Sequence, residues 1–139
     1  MKTKIIKTNI TTPNDAAAIF RGALPSVQKE ERVFVLPLDA HGKVLAKPIL
    51  VSVGSEDGTV TIDAGAIFRE AFKAGAEEII VAHNHPSGDI TPSKDDFDTT
   101  MKLNEGANIV GLEFIDHIIL GSDDAHYGRG YVSMAELMS

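Results

Sequence analysis

The 139-residue chain contains no cysteine. That absence excludes disulfides, thiolate-held zinc and a cysteine nucleophile, so any metal must be held by nitrogen and oxygen ligands. Basic residues are also scarce: 13 Lys and Arg stand against 20 Asp and Glu, a net charge of −7. Without a clustered basic stripe, the chain has little means of gripping a phosphate backbone by itself. No apolar run approaches the roughly 20 residues that cross a bilayer. The opening MKTKIIKTNI carries lysines but no long apolar core behind them, and so does not read as a secretory signal. Internal repeats, low-complexity tracts and linkers are missing too. The expectation is one domain over residues 1–139, cytoplasmic, without membrane contact, and long enough to bury a single core.

What is present alternates between strand and helix patterns. Thr12 reads as an N-cap with Pro13 at the first helical position, opening a helix that buries Ala16, Ile19, Phe20 and Ala23 and stops near Pro25. Arg32 to Leu38 reads as a strand buried on both faces, bulged or near an edge because Pro37 lacks an N–H. A turn at Asp39 to Gly42 leads into a second strand, Val44 to Val53, and Thr59 to Ile62 adds a short extended piece. Asp63 caps a helix with Ile67, Phe68, Ala71, Phe72 and Ala74 on its apolar face and Gly75 at its end. Glu78 to Ala82 is a strand. A long helix starting at Ser93 runs through Phe97, Met101, Leu103, Ala107 and Val110 to Gly111. Leu112 to Leu120 is a further buried strand, followed by a short one at Tyr131-Val132 and a last helical turn capped by Ser133. The class is α/β: a mixed sheet covered by helices.

Between the strand ending at Ala82 and the long helix lies HNHPSGDITPSKDD, His83 to Asp96. On an extended segment, residues i and i+2 point the same way, so His83 and His85 aim two imidazoles at one place. Pro86 stiffens the exit and Gly88 permits a sharp turn. The helix that follows carries Asp95 and Asp96 in its first turn. Two histidines and one such carboxylate leave a fourth position for water, the arrangement of a catalytic zinc site. Each piece also has a plain reading. An isolated H-x-H is weak evidence of metal, Ser93 alone is a helix cap, the two aspartates alone favour the helix dipole, and Glu30-Glu31 alone is a solvated pair. The combination is harder to dismiss.

His83-x-His85-Pro86 followed by Ser93-x-x-Asp96 is similar to the JAMM metalloprotease motif, H-x-H-P-x6-S-x2-D. AHNHPSGDITPSKDD, the preceding IFREAFKAGAEEIIV and the following FIDHIILG resemble the JAB domain of the RadC family, from about Glu31 to the C-terminus. The helix-hairpin-helix region of the longer family members has no counterpart, so the chain resembles a short, domain-only form. The resemblance implies a JAB/MPN, cytidine-deaminase-like architecture and a zinc-dependent hydrolase of peptide, isopeptide or amide bonds, using zinc-bound hydroxide. It implies His83, His85 and Asp96 as zinc ligands, with Asp95 outside the spacing. Ser93 would hydrogen-bond the carbonyl oxygen or oxyanion, worth roughly 3 kcal/mol if it behaves like other such donors. Matching the apolar strand that ends in Leu38-Asp39 implies Glu31 as base and proton shuttle. Glu30 is the alternative, since adjacent strand residues face opposite ways.

Other polar residues have simpler expectations. Asp116-His117 reads mainly as a satisfied core pair, with contact to a metal ligand the lesser reading. His41 and His126 fall in exposed loops, Asp89 in a turn, and Asn84 points away from the imidazoles to tie down the loop. A peptide or protein substrate is the expected partner. One rival function is an Fe(II) site of two histidines and a carboxylate, though nothing marks a co-substrate pocket. A nucleoside deaminase would need zinc-binding cysteines. The rival of another class is a DNA-repair or DNA-maintenance module, acting through a partner with a structural or vestigial metal.

Overall fold

A computed structural model describes residues 9–54, 62–122 and 128–139. The expected extended piece at 59–62 and the loop containing His126 fall largely or wholly outside the described residues. Helix α1 is Pro13–Ala23, with the Thr12 hydroxyl accepting from the Asp15 N–H and the Asp15 carboxylate accepting from the Thr12 N–H, a reciprocal cap. Strands β1 (Arg32–Leu38) and β2 (Ile49–Val53) follow, then α2 (Ala64–Lys73), β3 (Glu78–Asn84), α3 (Lys94–Val110) and β4 (Glu113–Leu120). Strand β5 (Tyr131–Ser133) and the short helix α4 (Met134–Met138) complete the chain.

The five strands form one sheet in the order β2-β1-β3-β4-β5. Only β3 and β4 run parallel, as the crossover through α3 requires; the other neighbours are antiparallel. Alternation along β1 and β3 divides the core between two faces. Phe34, Leu36, Leu38, Ile80 and Ala82 pack under α1 with Ala16, Ala17 and Phe20. Val33, Val35, Ile79 and Val81 pack under α2 and α3 with Ile67, Phe68, Leu103 and Ala107. Each Val, Leu, Ile or Phe side chain so removed from water contributes roughly 1.5–3 kcal/mol. No helix among the described residues is long and apolar enough to cross a membrane.

Several expectations are corrected in detail. The second strand spans Ile49–Val53 rather than Val44–Val53; Val44 makes only an isolated bridge to Leu38, and Pro48 precedes the strand. Of the two alternatives for the strand of Pro37, the bulge holds, as a register shift against β2 between Val33 and Phe34, whereas the strand lies inside the sheet and not at its edge. The Pro37 carbonyl accepts from Leu45 N–H, so the missing donor points at the β1–β2 connection and costs the β3 ladder nothing. Phe72 (49% exposed), Met101 (59%) and Val110 (42%) face away from the core, and Ala23 is exposed. The buried stripe of α3 is Asp96, Thr100, Leu103 and Ala107, and Met101 and Val110 fall outside its arc.

One irregularity in the sheet matters for the site. Ile79 lies opposite Phe114, but Ile80 lies opposite Asp116, so β4 carries one extra residue between them. A bulge of one residue reverses which face the following side chains occupy. Beyond it, Val81 is paired with His117 and His83 with Ile119 on the face covered by α3.

Candidate metal centre

The site forms where β3 ends and α3 begins. His83 is the last but one residue of β3 and is 1% exposed; His85 follows the strand, its N–H bonded to the Leu120 carbonyl at 2.8 Å. The Gly88 N–H returns to the His85 carbonyl at 2.9 Å, with Gly88 at φ +87°, closing the turn that Pro86 opens. Ser93 then caps α3: its hydroxyl accepts from the Asp96 N–H at 3.1 Å, and its N–H donates to Asp96 Oδ2 at 2.8 Å. This reciprocal cap presses the Asp96 carboxylate back toward the histidines. Glu31, just before β1, arrives from the other side.

His83 Nε2 lies 3.1 Å from His85 Nε2, 3.2 Å from Asp96 Oδ1 and 3.5 Å from Glu31 Oε1. His85 Nε2 lies 3.5 Å from Asp96 Oδ2. Four donors from three separate parts of the chain therefore converge. Glu31, His83 and His85 form a group that can hold a metal ion, with all three donor atoms within 4.8 Å of one another. Asp96 stands outside that mutual set but meets both imidazoles, one with each oxygen.

Hydrogen-bond directions show what these donors lack. His85 Nδ1 lies 2.9 Å from the Asp89 carbonyl oxygen, which can only accept. Nδ1 therefore carries the hydrogen, and neutral His85 offers a lone pair at Nε2. That lone pair points at His83 Nε2, between two carboxylates. Such a cluster needs a cation or a shared proton at its centre. A tetrahedral ion with bonds of about 2.05 Å has ligand–ligand edges of roughly 3.3 Å. The separations from His83 Nε2, 3.1 Å to His85, 3.2 Å to Asp96 Oδ1 and 3.5 Å to Glu31 Oε1, lie around that value, so the residues fit a metal ion of zinc's size.

Electrostatics separate the two carboxylates. Burial works to raise the Asp96 carboxyl, but the His83 and His85 imidazoles set against its oxygens and the hydrogen bond from the Ser93 N–H outweigh it and hold the group far below the usual carboxylate range. Burial likewise raises Glu31; the charges of His83 and His85 oppose the rise without cancelling it. Asp96 thus stays an anion, whereas Glu31 is shifted toward taking a proton. The Asp96 hydrogen bond raises His85 despite burial.

Of the sequence-predicted residues, the structure brings together Glu31, His83, His85 and Asp96, with Ser93 in contact with Asp96 through its cap. The Ser93 hydroxyl serves as acceptor in that cap, leaving its proton for another partner. Asp95 is exposed beside Asp98 and Lys102, away from the imidazoles. Glu30 offers its backbone carbonyl to Asn84 and is not in the metal-binding group. Asn84 does point away from the imidazoles, as expected, and His41 is exposed in its turn.

Asp116 and His117 are satisfied core residues, but His117 also touches His83, with Nε2 and Nδ1 2.7 Å apart. Thr100, which sequence reasoning passed over, completes the link to His117 at 2.8 Å. The Asp89 carbonyl that orients His85 was equally invisible, since a backbone atom has no residue signature. The helical stripe containing Asp96, Thr100 and Leu103 was the one available signal for Thr100.

An open cleft of about 420 Å³ adjoins His85, lined by Arg21, Ser26, Gln28, Ser87 and Ser122 among others. Arg21 there donates to the carbonyls of Gly121 and Gly130 at 3.1 and 2.7 Å.

The RadC-like JAB domain family model matches residues 10–138. Relatives named UPF0758 proteins include one from Acaryochloris marina, 44% identical over 117 residues that cover 84% of this chain and 47% of that protein. Another, from Carboxydothermus hydrogenoformans, is 39% identical over 92% of this chain and 53% of its own length. A third, from Staphylococcus haemolyticus, is 36% identical over 94% and 53%. The chain spans about half the length of these curated relatives. With its α/β fold and its cluster of histidines and carboxylates, the chain belongs to the RadC-like JAB domain family.

Proposed function

We propose that this domain is a zinc-dependent hydrolase of the JAMM type that cleaves a peptide, isopeptide or amide bond in a peptide or protein substrate. The observation that carries the reading is the pair of imidazole Nε2 atoms 3.1 Å apart, flanked by two carboxylates of opposite tendency. His83, His85 and Asp96 are the residues assigned to hold the ion. Zinc, when bound, supplies Lewis acidity and brings the pKa of a coordinated water to about 7.

The remaining work falls to the protein's own groups. Glu31, half-buried and with its carboxyl raised, takes a proton from the attacking water and delivers it to the leaving nitrogen. Ser93 has a hydroxyl proton left over from its cap and donates it toward the carbonyl oxygen as negative charge develops there. The cleft beside His85 offers hydroxyl and amide groups that match the donors and acceptors of a peptide backbone.

The test couples metal analysis of purified protein to a screen of peptide and isopeptide libraries with wild type and Glu31→Gln. The hydrolase reading expects bound zinc in both proteins and turnover in the wild type alone. Equal turnover in both would remove Glu31 from its role. Zinc without turnover across the libraries would favour the rival, a DNA-maintenance module with a structural ion.

A further inference from the structure

We propose that Thr100 and His117 are positioning residues that set the tautomer of His83 and lock it to Asp96, a role that rests on the metal-site reading above.

Thr100 Oγ1 lies 2.9 Å from the Asp96 carbonyl oxygen, an atom that can only accept, so the single hydroxyl proton goes there. Toward His117 Nδ1, at 2.8 Å, the same oxygen must then accept, which places the hydrogen on that nitrogen. His117 is 0% exposed, and a buried imidazolium would be strongly disfavoured, so it is neutral and its Nε2 carries a lone pair. Across the 2.7 Å contact that lone pair accepts from His83 Nδ1–H. Neutral His83 is left with a bare Nε2, the atom that faces His85, Asp96 and Glu31.

The chain of bonds leaves Asp96 by its backbone carbonyl and passes through Thr100 and His117 to His83, whose bare Nε2 lies 3.2 Å from the Asp96 carboxylate, where a shared cation would join the two. Two residues assigned to the metal, one on a strand and one on a helix, are therefore held in mutual register by side chains that touch no ion themselves. Reversing the chain would turn the Thr100 hydroxyl to His117 and place a hydrogen on His83 Nε2, blocking that ligand. Partners of this kind, hydrogen-bonded to a ligand's other nitrogen, commonly change metal affinity by about 10- to 100-fold when removed.

The experiment has two readouts. Long-range proton–nitrogen NMR spectra of the metal-free wild type at about pH 8, above the ordinary histidine range, should show His117 and His83 with hydrogen on Nδ1 and bare Nε2. His117 with hydrogen on Nε2 overturns the inference. In the second readout, zinc affinity is measured by competition with a chromophoric chelator in Thr100→Val and Thr100→Ser. The isosteric valine removes the acceptor, so affinity should fall about 10- to 100-fold, while serine keeps it within about threefold. Equal zinc affinity in wild type and both variants overturns the positioning role. If Thr100→Val does not fold, the wild-type tautomers decide. A wild type that binds no zinc at any concentration sinks the metal reading itself, whereas normal zinc binding with the reversed tautomer sinks only this inference.

Discussion

The side-chain oxygen of Asn84 accepts a hydrogen bond from the Arg32 backbone N–H at 2.7 Å. Asn84 sits between His83 and His85 in sequence, and Arg32 follows Glu31. The same side chain donates to the Glu30 carbonyl at 3.1 Å and to Gln28 Oε1 at 2.9 Å. The backbone on both sides of Glu31 is thus tied to the strand that carries the histidines. Asn84 is 0% exposed, so Asn84→Ala leaves the Arg32 N–H without this acceptor in a partly buried place. The expected cost is about 1–3 kcal/mol in urea unfolding. Zinc content should survive while turnover falls, because Glu31 loses its anchor and the histidines do not. Unchanged turnover would show that Glu31 is held by other means.

The wild type should carry about one zinc per chain, since one cluster of donors is present among the described residues. His85→Ala should lose the ion, and so should His83→Ala, both read by elemental analysis after gel filtration. Glu30→Gln should leave both metal and turnover unchanged, because only the carbonyl of Glu30 is engaged near the site. Loss of turnover in Glu30→Gln with normal Glu31→Gln would move the base by one residue.

Gly121 is closed against the histidine loop. A Cβ built there meets Ile90 Cγ2 and lies 2.7 Å from the Gly88 carbonyl oxygen, so the loop must shift to admit it. Gly121→Ala is therefore expected to cost about 1–3 kcal/mol of stability. It should also weaken zinc binding, since the displaced loop carries the Asp89 carbonyl that orients His85. Thermal melts with and without zinc measure both effects, and a variant with wild-type melting in both conditions would refute them.

Burial pushes the His117 imidazole down to about 3, while in an unfolded chain it titrates near 6.5. Between those values the unfolded state binds more protons than the folded one. The contribution of neutral His117 is therefore fully present above about pH 6.5 and is lost progressively as pH falls toward about 3. Raised His85 acts in the opposite sense, so the comparison must be a difference. Urea midpoints of metal-free wild type and His117→Gln, measured from about pH 7 to pH 4, should show the wild type losing more stability on acidification. Parallel slopes would place the acid sensitivity elsewhere.

The sequence by itself determined the element types, the spacing of His83, His85, Ser93 and Asp96 and the chemistry on offer, because these depend on local rules. Thr12, Asp63, Ser93 and Ser133 cap their helices with side chains that reach only three residues along the chain. The i, i+2 geometry of His83 and His85 needs nothing beyond one extended segment. The absence of cysteine restricted the ligands to nitrogen and oxygen before any fold was considered. Where periodicity spread over a wider arc than the partner could cover, as at Phe72, Met101 and Val110, the apolar pattern overstated burial.

Only the tertiary structure decided which distant groups meet. Glu31 reaches His83 while Glu30 does not, because Asn84, on the neighbouring strand, fixes the entry to β1. His117 reaches His83 because β4 holds one residue more than β3 between Phe114 and Asp116. Strict alternation counted from Phe114 would have put His117 on the opposite face. A bulge is set by the register between two strands, and neither strand's own sequence contains that register.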